Sequence, residues 1–508
     1  MLGWVRNLPF FIVLMGFGSI AMLVPSAHAL SLNDFNTMRV FFYGFLLFGM
    51  LTGILALATS ESDSDGIARG QLFSLLAAFT ILPIMFAIPF FEAQRDIRLL
   101  DAWFEMVSSF TTTGATVFDD PSVLKPAMHL WRGLVAWMGG LLIWITAIAI
   151  FAPLNLGGFE VKAETGSAAN VTARHYTQTP KYRSSNDRLS RYASALIPIY
   201  FGLTFLLWVG LTAIGEAPYV ALIHAMSVLS TSGISAVGGL AHAGSGFFVE
   251  LLIFAFFFFA ISRLTFGKRL FGESDGRLRR DPEIQIGVAL IVATTLLLFG
   301  LHFFGATAES DGFNLIEIGQ AVWGAVFTIT SFLTTTGFES QYWDSTTDWS
   351  GLKAPGLVLM GLALIGGGVA TTAGGVKLLR IFALYQHSRR EMGRLVYPSS
   401  VAGGGIAARH LRTHGAMIAW TFFMLFALSI GGVMIALSLI DVPFETSMVL
   451  AVSALSTTGP LAQVAGEVPI AFSTIPDLGK FVLAGAMVLG RLETLAIIAL
   501  FSADIWRN

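Results

Sequence analysis

The chain has 508 residues, of which 55% are hydrophobic and only 12% charged, and its mean hydropathy is +0.73. Soluble domains are about 45–50% apolar and about 25% charged, so this composition is that of an integral membrane protein. The net charge of −2 provides no general attraction to nucleic acid. The absence of cysteine excludes disulfides and thiol catalysis.

Ten apolar stretches are long enough to cross a membrane, which takes about 20 helical residues. The first follows Arg6 and precedes Ala27-His28-Ala29, a pattern also typical of a cleaved signal peptide. Its continuity from Leu8 to Leu23 favours a retained helix, and the orientation of the later spans is the same in either case. The predicted spans lie near 8–27, 37–58, 70–91, 129–152, 193–214, 245–266, 283–304, 355–387, 413–437 and 477–501.

A seven-residue motif occurs four times between these spans. It consists of a serine, any residue, Phe or Leu, three hydroxyl residues and a glycine. One copy would be an ordinary loop sequence, but four copies separated by two spans each indicate a duplicated unit. The motif loops 1 to 4 are Ser108–Gly114, Ser227–Gly233, Ser331–Gly337 and Ser453–Gly459.

Charge placement orients the spans. Basic residues are concentrated in the segments 157–191, 263–281 and 377–412, whereas the segments that carry the first and third motifs are mainly acidic. Because loops rich in Lys and Arg remain in the cytoplasm, the motif segments are predicted to begin on the outer side.

A short segment of helical character precedes each motif. A half-helix that ends inside the membrane directs its partially negative C-terminus toward a cavity, which favours a cation there. Interfacial amphipathic helices remain an alternative, since periodicity alone does not require re-entry. The four segments are Leu100–Phe110, Tyr219–Leu229, Ile318–Leu333 and Thr446–Leu455.

The motif itself is suited to a cation pathway. Rings of backbone carbonyls can replace the hydration shell of an ion, glycine permits the turn that directs them inward, and hydroxyls can satisfy buried backbone groups. The predicted ion-binding carbonyls belong to Thr112, Thr113, Gly114, Thr231, Ser232, Gly233, Thr335, Thr336, Gly337, Thr457, Thr458 and Gly459.

Two further segments contain unusual residues for a membrane span. The run Leu364–Lys377 contains Gly366, Gly367, Gly368, Gly374 and Gly375, and each glycine in a helix interior costs about 1 kcal/mol relative to alanine. The span should therefore break there, although close helix packing over Gly366 to Gly368 is an alternative. In the last span, a central arginine costs about 2.5–3.5 kcal/mol, so Arg491 should face a cavity or an acid such as Glu493.

Together, the four loops, the run Leu364–Lys377 and the segment Leu489–Glu493 resemble the TrkH/KtrB branch of the potassium transporters. The resemblance covers about 70–508, and the additional N-terminal helix pair is more similar to TrkH than to KtrB. It implies K+ uptake across the bacterial inner membrane by a lipid-embedded, usually homodimeric subunit, gated by a cytosolic ring of nucleotide-binding RCK subunits called TrkA. It implies no organic cofactor and no nucleic-acid partner.

The resemblance also implies roles for particular residues. In related transporters a serine in place of the first filter glycine accompanies sodium preference, and this chain has glycine in all four loops, which favours K+. Three places depart from the family pattern: Leu461 after the fourth loop, Ile234 after the second, and Leu141-Leu142 after Trp137–Gly140. The family uses the glycine-rich run as an intramembrane gate and places the last-span arginine on the pore axis, which assigns the gate to Gly366, Gly367, Gly368, Gly374, Gly375, Lys377 and Arg491.

The sequence thus predicts an all-α polytopic membrane protein with four pseudo-symmetric helix–pore loop–helix repeats around one ion pore, plus an N-terminal helix pair. The helix pair occupies 1–60, and the repeats occupy 70–155, 190–270, 280–390 and 410–508. No zinc-protease or phosphate-loop motif indicates an enzyme. Alternatives are a less selective Na+/K+ or H+/K+ symporter and an organic-substrate carrier, which usually has a single asymmetric site.

Overall fold

The computed structural model describes residues 8–59, 68–94, 96–152, 158, 185–244, 246–262, 281–305, 315–350, 355–396, 406–466 and 468–493. All regular elements within these ranges are helical, which confirms the predicted all-α fold. Most of the basic segments predicted to be cytoplasmic, and the predicted end of the last span, lie outside the described residues.

Some consecutive helices are separated by only a few described residues. Four of the helices begin with a proline, whose missing amide and fixed φ suit the first helical position. The main helices are α1 Phe10–Ala21, α2 Leu23–Ser31, α3 Phe35–Ala58, α4 Ala68–Ala93, α5 Leu99–Phe110, α6 Pro126–Thr146, α7 Ser185–Ile214, α8 Pro218–Ser230, α9 Gly246–Ile261, α10 Pro282–Gly305, α11 Leu315–Leu333, α12 Trp343–Ser350, α13 Pro355–Ile365, α14 Leu378–Val396, α15 Ile406–Ser438, α16 Phe444–Leu455, α17 Leu461–Val464 and α18 Asp477–Leu492.

Eight helices in the described part of the chain are long and apolar enough to cross a membrane. Predicted spans near 245–266 and 355–387 correspond to shorter helices, because α9 has 16 residues and α13 has 11 before the chain leaves the helix. Conversely, α11 has 19 residues and is longer than the half-helix predicted before the third motif. The other three helices before the motifs have 12 or 13 residues, as expected for half-helices.

The packing of the helices follows a cyclic order. Each short helix before a motif (α5, α8, α11 and α16) packs between the helices that precede and follow it in the chain. Each helix after a motif also packs on the short helix of the next unit: α6 on α8, α9 on α11, α13 on α16, and α18 back on α5. The four motif-bearing helices therefore form a closed ring.

The N-terminal helices pack on the outside of this ring. Helices α1 and α3 contact α4, and α2 contacts α6. The approach is close, since a Cβ added to Gly18 in α1 would lie 2.6 Å from the Phe86 ring in α4. Helix α3 begins at Asp34, whose carboxylate accepts the Thr37 amide at 3.1 Å as an N-cap.

Candidate ion pathway

Each of the four motifs terminates a helix in the same way. The amide of the sixth motif residue donates to the carbonyl of the first, and the amide of the fifth donates to the carbonyl of the second. In loop 1 these bonds join Thr113 to Ser108 and Thr112 to Ser109, both at 2.8 Å. The other loops repeat them at 2.9–3.2 Å. This pair of hydrogen bonds defines a Schellman C-cap, whose fifth residue is left-handed.

The left-handed position carries threonine in every copy, although helix C-caps usually have glycine there. A β-branched residue in this conformation is strained by about 1–3 kcal/mol, and such strain is concentrated at functional sites. The prediction attributed the turn to the glycine two residues later, and so missed the strained position. The φ angles lie between +54° and +56° at Thr112, Thr231, Thr335 and Thr457.

The hydroxyls on either side of the strained threonine contact each other across the turn. These contacts satisfy polar side chains inside the loop, where no lipid group could do so. The sequence predicted a different role, satisfaction of buried backbone groups, which the Ser108 hydroxyl performs by donating to the Ala115 carbonyl at 2.6 Å. The oxygen–oxygen distances are 2.8 Å for Thr111 and Thr113, 3.1 Å for Ser230 and Ser232, 3.1 Å for Thr334 and Thr336, and 3.2 Å for Ser456 and Thr458.

The four motif glycines lie where neighbouring loops meet. A Cβ added to Gly114 would lie 1.8 Å from the Ser232 carbonyl oxygen, and one added to Gly233 would lie 2.3 Å from that of Thr336. A Cβ on Gly337 would lie 3.0 Å from Pro460 in the loop that follows the fourth motif. A Cβ on Gly459 would lie 2.1 Å from the amide nitrogen of Ala115, which follows loop 1. The backbones of loops 1 to 4 therefore approach one another in ring order, with no space for side chains.

Loop 4 departs from the other three. Gly114, Gly233 and Gly337 have φ between +66° and +82°, whereas Gly459 is not among the positive-φ residues. Its amide instead donates to the Thr113 carbonyl oxygen at 2.6 Å. The positive φ by which glycine permits the turn is thus not used in the fourth loop, because this bond to loop 1 holds Gly459 in a different conformation.

A side chain three residues before the motif braces three of the four loops. In these loops that side chain contacts a residue two or three positions after the motif glycine, in the segment that follows the same loop. These side-chain contacts were not predicted from the sequence, although the constant position of the side chain before the motif was a usable signal. The contacts are Val117 N to Glu105 Oε2 at 3.1 Å, His224 Nε2 to Ser235 Oγ at 2.9 Å and Ser340 N to Thr328 Oγ1 at 3.1 Å, whereas loop 4 has Leu450.

Buried charged groups contact the residues that form these side-chain contacts. Arg132 pairs with Glu105 at 2.6 Å, and Glu216 lies 2.6 Å from the other ring nitrogen of His224. Beside the third loop, Glu250 of α9 accepts the Ser340 hydroxyl at 2.8 Å. Buried charges are tolerated only when they are paired or hydrogen-bonded, so each cluster fixes the loop beside it.

Ion pairs near the N-terminal ends of α5 and α18 connect the last unit to the first. Lys480 of α18 pairs with Asp101 of α5 at 2.6 Å, and Arg98 bridges Asp101 and Asp477. Partial burial opposes ionisation of Asp101, but hydrogen bonds from Arg98 and Lys480 hold its pKa below the ordinary value. After loop 3, burial and the nearby Asp344 raise the pKa of Glu339 to about 7.

The second glycine-rich segment interrupts its span, as predicted. Helix α13 ends at Ile365 and α14 begins at Leu378, so residues 366–377, the intramembrane loop, are non-helical. A Cβ on Gly366 would lie 2.1 Å from the Gly374 carbonyl, and one on Gly375 would lie 2.7 Å from that of Ala363. The glycines thus fold the loop tightly on itself, which argues against the alternative of a continuous helix at a close crossing.

The intramembrane loop lies directly against the motif loops. The Gly374 amide donates to Thr335 Oγ1 at 2.8 Å, and the Thr372 hydroxyl donates to the Leu229 carbonyl at 3.0 Å. A Cβ on Gly374 would lie 2.1 Å from the Ser456 carbonyl oxygen. The loop therefore touches units 2, 3 and 4 at the ends of their short helices.

Arg491 of α18 holds the same loop. Its Nη1 donates to the Thr372 carbonyl at 2.6 Å, while Nε and Nη2 have no hydrogen-bond partner among the described residues. Glu493, the acid considered as its partner, pairs instead with Arg380 at 2.7 Å. Arg380 is fully buried and lies 3.6 Å from the centre of the Phe422 ring.

A small cavity lies between the intramembrane loop and α6. Its volume is about 20 Å³, which is room for little more than a single water. At this point α6 continues as a π-helical turn, Ala147–Phe151, and such turns are frequent at functional sites. The predicted residues Gly374, Gly375, Lys377 and Arg491 line the cavity. Lys377 also donates from Nζ to the Ala373 carbonyl.

The chain is similar to known proteins over most of its length. The family model TrkH, described as a cation transport protein, matches residues 284–507. The Trk system potassium uptake protein TrkH of Halomonas elongata is 30% identical over 455 residues, covering 87% of this chain and 86% of its own length. TrkH of Escherichia coli is 29% identical over 498 residues, 96% of each chain.

A solved structure has the same fold. The crystal structure of the potassium transporter TrkH from Vibrio parahaemolyticus matches with a TM-score of 0.80 and 25% identity, covering 99% of both chains. With eight membrane-capable helices in its described part, the chain is a multi-pass protein of the bacterial inner membrane. It belongs to the TrkH family, whose members are cation transporters rather than enzymes.

Proposed function

We propose that this chain takes up K+ through a pore on the axis of its four motif loops. The observation that carries the proposal is the ring in which Gly114, Gly233, Gly337 and Gly459 each abut the next loop. An ion filter needs backbone carbonyls from every repeat, and loops without side chains between them can provide such carbonyls. Similar chains from several bacteria are named potassium uptake proteins, which supports K+ as the transported ion.

The ion-binding groups in this proposal are the carbonyls of the last three residues of each motif loop. The C-terminal ends of four helices meet beside them, and their partial negative charges favour a cation. Thr113 can serve although its carbonyl already accepts the Gly459 amide, because a carbonyl oxygen has two lone pairs. The residues are Thr112, Thr113, Gly114, Thr231, Ser232, Gly233, Thr335, Thr336, Gly337, Thr457, Thr458 and Gly459.

The gate in this proposal is the intramembrane loop together with Lys377 and Arg491. The loop lies against three of the four motif loops, and a cavity of about 20 Å³ beside it is too small for a hydrated ion. Arg491 adds a positive charge that opposes cations, since two of its nitrogens lack protein partners among the described residues. Opening then requires the loop to leave Thr335 and Thr372 to leave Arg491.

The proposed organisation has a helix pair at 1–60 and pore repeats at 70–155, 190–270, 280–390 and 410–508. The cyclic packing of α5, α8, α11 and α16 supports it. We further propose a homodimer regulated by a cytosolic, TrkA-like RCK subunit. The relatives' designation as parts of a Trk system supports a further subunit, whereas the homodimer rests on the family resemblance.

Coupled transport of K+ with Na+ or H+ is the alternative that this architecture leaves open. An organic-substrate carrier is a poorer fit, because carriers usually bind at one asymmetric site between two repeats. Four loops with the same cap hydrogen bonds instead favour one shared axial site for a small ion.

The test is ⁸⁶Rb+ uptake by purified protein in liposomes, with K+ and Na+ as competitors and with imposed Na+ or H+ gradients. We expect uptake that K+ inhibits much more strongly than Na+ and that persists without either gradient. Uptake that requires a gradient would establish the symport alternative. Absence of uptake with the RCK subunit present, in a protein that elutes as a folded species, would contradict the proposal.

A further inference from the structure

Two buried carboxylates at the start of α10 lie behind the intramembrane loop. Asp281 immediately precedes the helix and Glu283 is in its first turn. Their exposed fractions are 8% and 1%. Nothing in the motif loops or in the proposed gate explains why two acids are buried here. A buried carboxylate is costly unless hydrogen bonds compensate, so their partners indicate their role.

Glu283 binds the intramembrane loop directly. Its Oε1 accepts the backbone amide of Val369 at 2.8 Å. The preceding amide, Gly368 N, donates to the Ala260 carbonyl at 2.9 Å, and a Cβ on Gly368 would lie 2.1 Å from the Ile261 carbonyl. The first half of the loop is therefore held against the end of α9 and the beginning of α10.

Asp281 holds this arrangement together. One of its carboxylate oxygens accepts the Glu283 amide at 3.2 Å, and the other accepts the Ser262 hydroxyl. Ser262 directly follows α9. A continuous hydrogen-bonded chain thus runs from Ser262 through Asp281 and Glu283 to Val369. It joins α9, α10 and the intramembrane loop without involving the motif loops.

The bond to Glu283 is of a stronger kind than the other bonds in this half of the loop. A hydrogen bond to a carboxylate is roughly twice as strong as one between neutral groups. The helix N-terminus favours a negative charge at this carboxylate. The opposite half of the loop is held by Arg491, which donates to the Thr372 carbonyl. An acidic and a basic side chain from different helices thus hold the two halves of the loop.

We propose that Glu283 is a positioning residue that latches the intramembrane loop in its closed position. The latch rests on the proposed function, since it needs the loop to be a gate. Release of Val369 would free the first half of the loop while the motif loops keep their conformation. Loss of the latch should therefore increase opening and leave the K+/Na+ discrimination of the pathway unchanged.

The experiment uses the full chain, which contains no cysteine. A single reporter, Thr371→Cys, places one thiol beside the cavity, and its modification by a charged methanethiosulfonate reports access to the loop. The reporter is combined with Glu283→Ala and Glu283→Met, which lack the acceptor, and with Glu283→Gln, which keeps an acceptor oxygen. Glu317→Ala is the matched control, because it removes an exposed first-turn acid from α11.

We expect both Glu283→Ala and Glu283→Met to speed modification about tenfold, as for loss of one hydrogen bond to a charged group. Glu283→Gln keeps an acceptor oxygen but loses the charge, so it should give a smaller increase than the apolar variants, and Glu317→Ala should remain near the parent rate. ⁸⁶Rb+ flux without a regulatory subunit should rise in parallel at an unchanged K+/Na+ ratio.

Three outcomes would overturn the latch. They are parent-like modification rates in Glu283→Ala and Glu283→Met, an equal increase in Glu283→Gln, and failure of both apolar variants to fold, which would make Glu283 a structural support. The function is tested separately by the parent protein. If the parent carries no ⁸⁶Rb+ flux even with the RCK subunit present, the transport proposal fails, whereas parent flux with unaffected variants rejects the latch alone.

Discussion

The motif loops and the intramembrane loop both contain non-helical backbone between apolar helices, but they are stabilised differently. Each motif loop closes on itself through the same two backbone hydrogen bonds, repeated four times. The intramembrane loop occurs once. Backbone hydrogen bonds tie its ends to α9 and α13, such as Val376 N to the Leu364 carbonyl at 2.9 Å, and side chains from other segments hold the part between them: Glu283 at Val369, Thr335 at Gly374 and Arg491 at Thr372. Local backbone bonds keep a segment rigid, whereas a few separable side-chain contacts allow it to move.

This difference matches the two tasks of an ion pathway. Selection needs carbonyls whose positions do not change, and the motif loops have backbone-to-backbone contacts that exclude any side chain. Gating needs two arrangements that differ by only a few kcal/mol. Three hydrogen bonds to side chains, each worth about 0.5–3 kcal/mol, are within that range. We therefore expect substitutions in the motif loops to change both flux and the K+/Na+ ratio, and substitutions in the intramembrane loop to change flux with little effect on that ratio.

The largest effect is expected for Gly114→Ser in loop 1. Its Cβ would lie 1.8 Å from the Ser232 carbonyl oxygen, so the backbone of one loop must shift. We expect K+ flux to fall about tenfold or more, as for an overpacked site, and the K+/Na+ ratio to fall with it. Competition of K+ and Na+ against ⁸⁶Rb+ in liposomes measures both quantities.

Gly202→Ser is the control for this substitution. Gly202 lies in α7, and an added Cβ would meet no atom within 4 Å. We expect parent-like flux and selectivity from this variant. A Gly114→Ser protein with unchanged flux and selectivity would show that the motif loops are more adaptable than their contacts indicate.

The next effect concerns the gate. Arg491→Ala removes both the bond to Thr372 and the positive charge beside the cavity. We expect ⁸⁶Rb+ flux to rise about tenfold, because a hydrogen bond to a charged group is lost, with little change in the K+/Na+ ratio. Arg491→Lys keeps the charge and should give an intermediate flux. Reduced flux in a folded Arg491→Ala protein would mean that Arg491 supports the open pathway instead.

A smaller effect is expected at the contact between the two regions. Thr335→Val removes the oxygen that accepts the Gly374 amide, which should raise flux severalfold, since a neutral hydrogen bond contributes about 1 kcal/mol. Thr335→Ser keeps the hydroxyl and should resemble the parent. Thr112→Val is the matched control at the same motif position, because Thr112 Oγ1 has no partner among the described residues. Equal flux increases in Thr335→Val and Thr112→Val would show that the hydroxyls act on conduction and not on the loop.

The sequence was informative where structure follows from local pattern. The apolar spans predicted an all-α membrane fold, and the glycines at 366–375 predicted that α13 and α14 are separate helices. Repetition of one motif also predicted four equivalent loops, whose cap hydrogen bonds are indeed repeated. These features depend on residues close in sequence, so a single chain contains the necessary information.

Long-range partners could not be predicted in the same way. The bond from Glu283 to Val369 joins residues 86 positions apart, and Glu493 pairs with Arg380 across 113 positions. Nothing in hydropathy or spacing distinguishes these acids from exposed ones. The conformation of Gly459 was also missed, because it depends on a contact with Thr113 of another loop. Such pairings follow from the assembled ring and not from any one segment.

The smallest effect tests the strain within a motif loop. Thr231 has φ +54°, and its hydroxyl donates to the adjacent Ser230 carbonyl. Thr231→Gly should relieve about 1–3 kcal/mol of strain and lose about 0.4–1 kcal/mol through greater freedom of the unfolded chain. We therefore expect a slightly higher thermal unfolding midpoint in detergent and unchanged selectivity. Asn33→Gly, at φ +59°, should gain less, because asparagine tolerates this conformation better than threonine. A lower midpoint for Thr231→Gly would show that packing of the threonine methyl outweighs its strain, and that the rigidity of the motif loops depends on side chains as much as on backbone bonds.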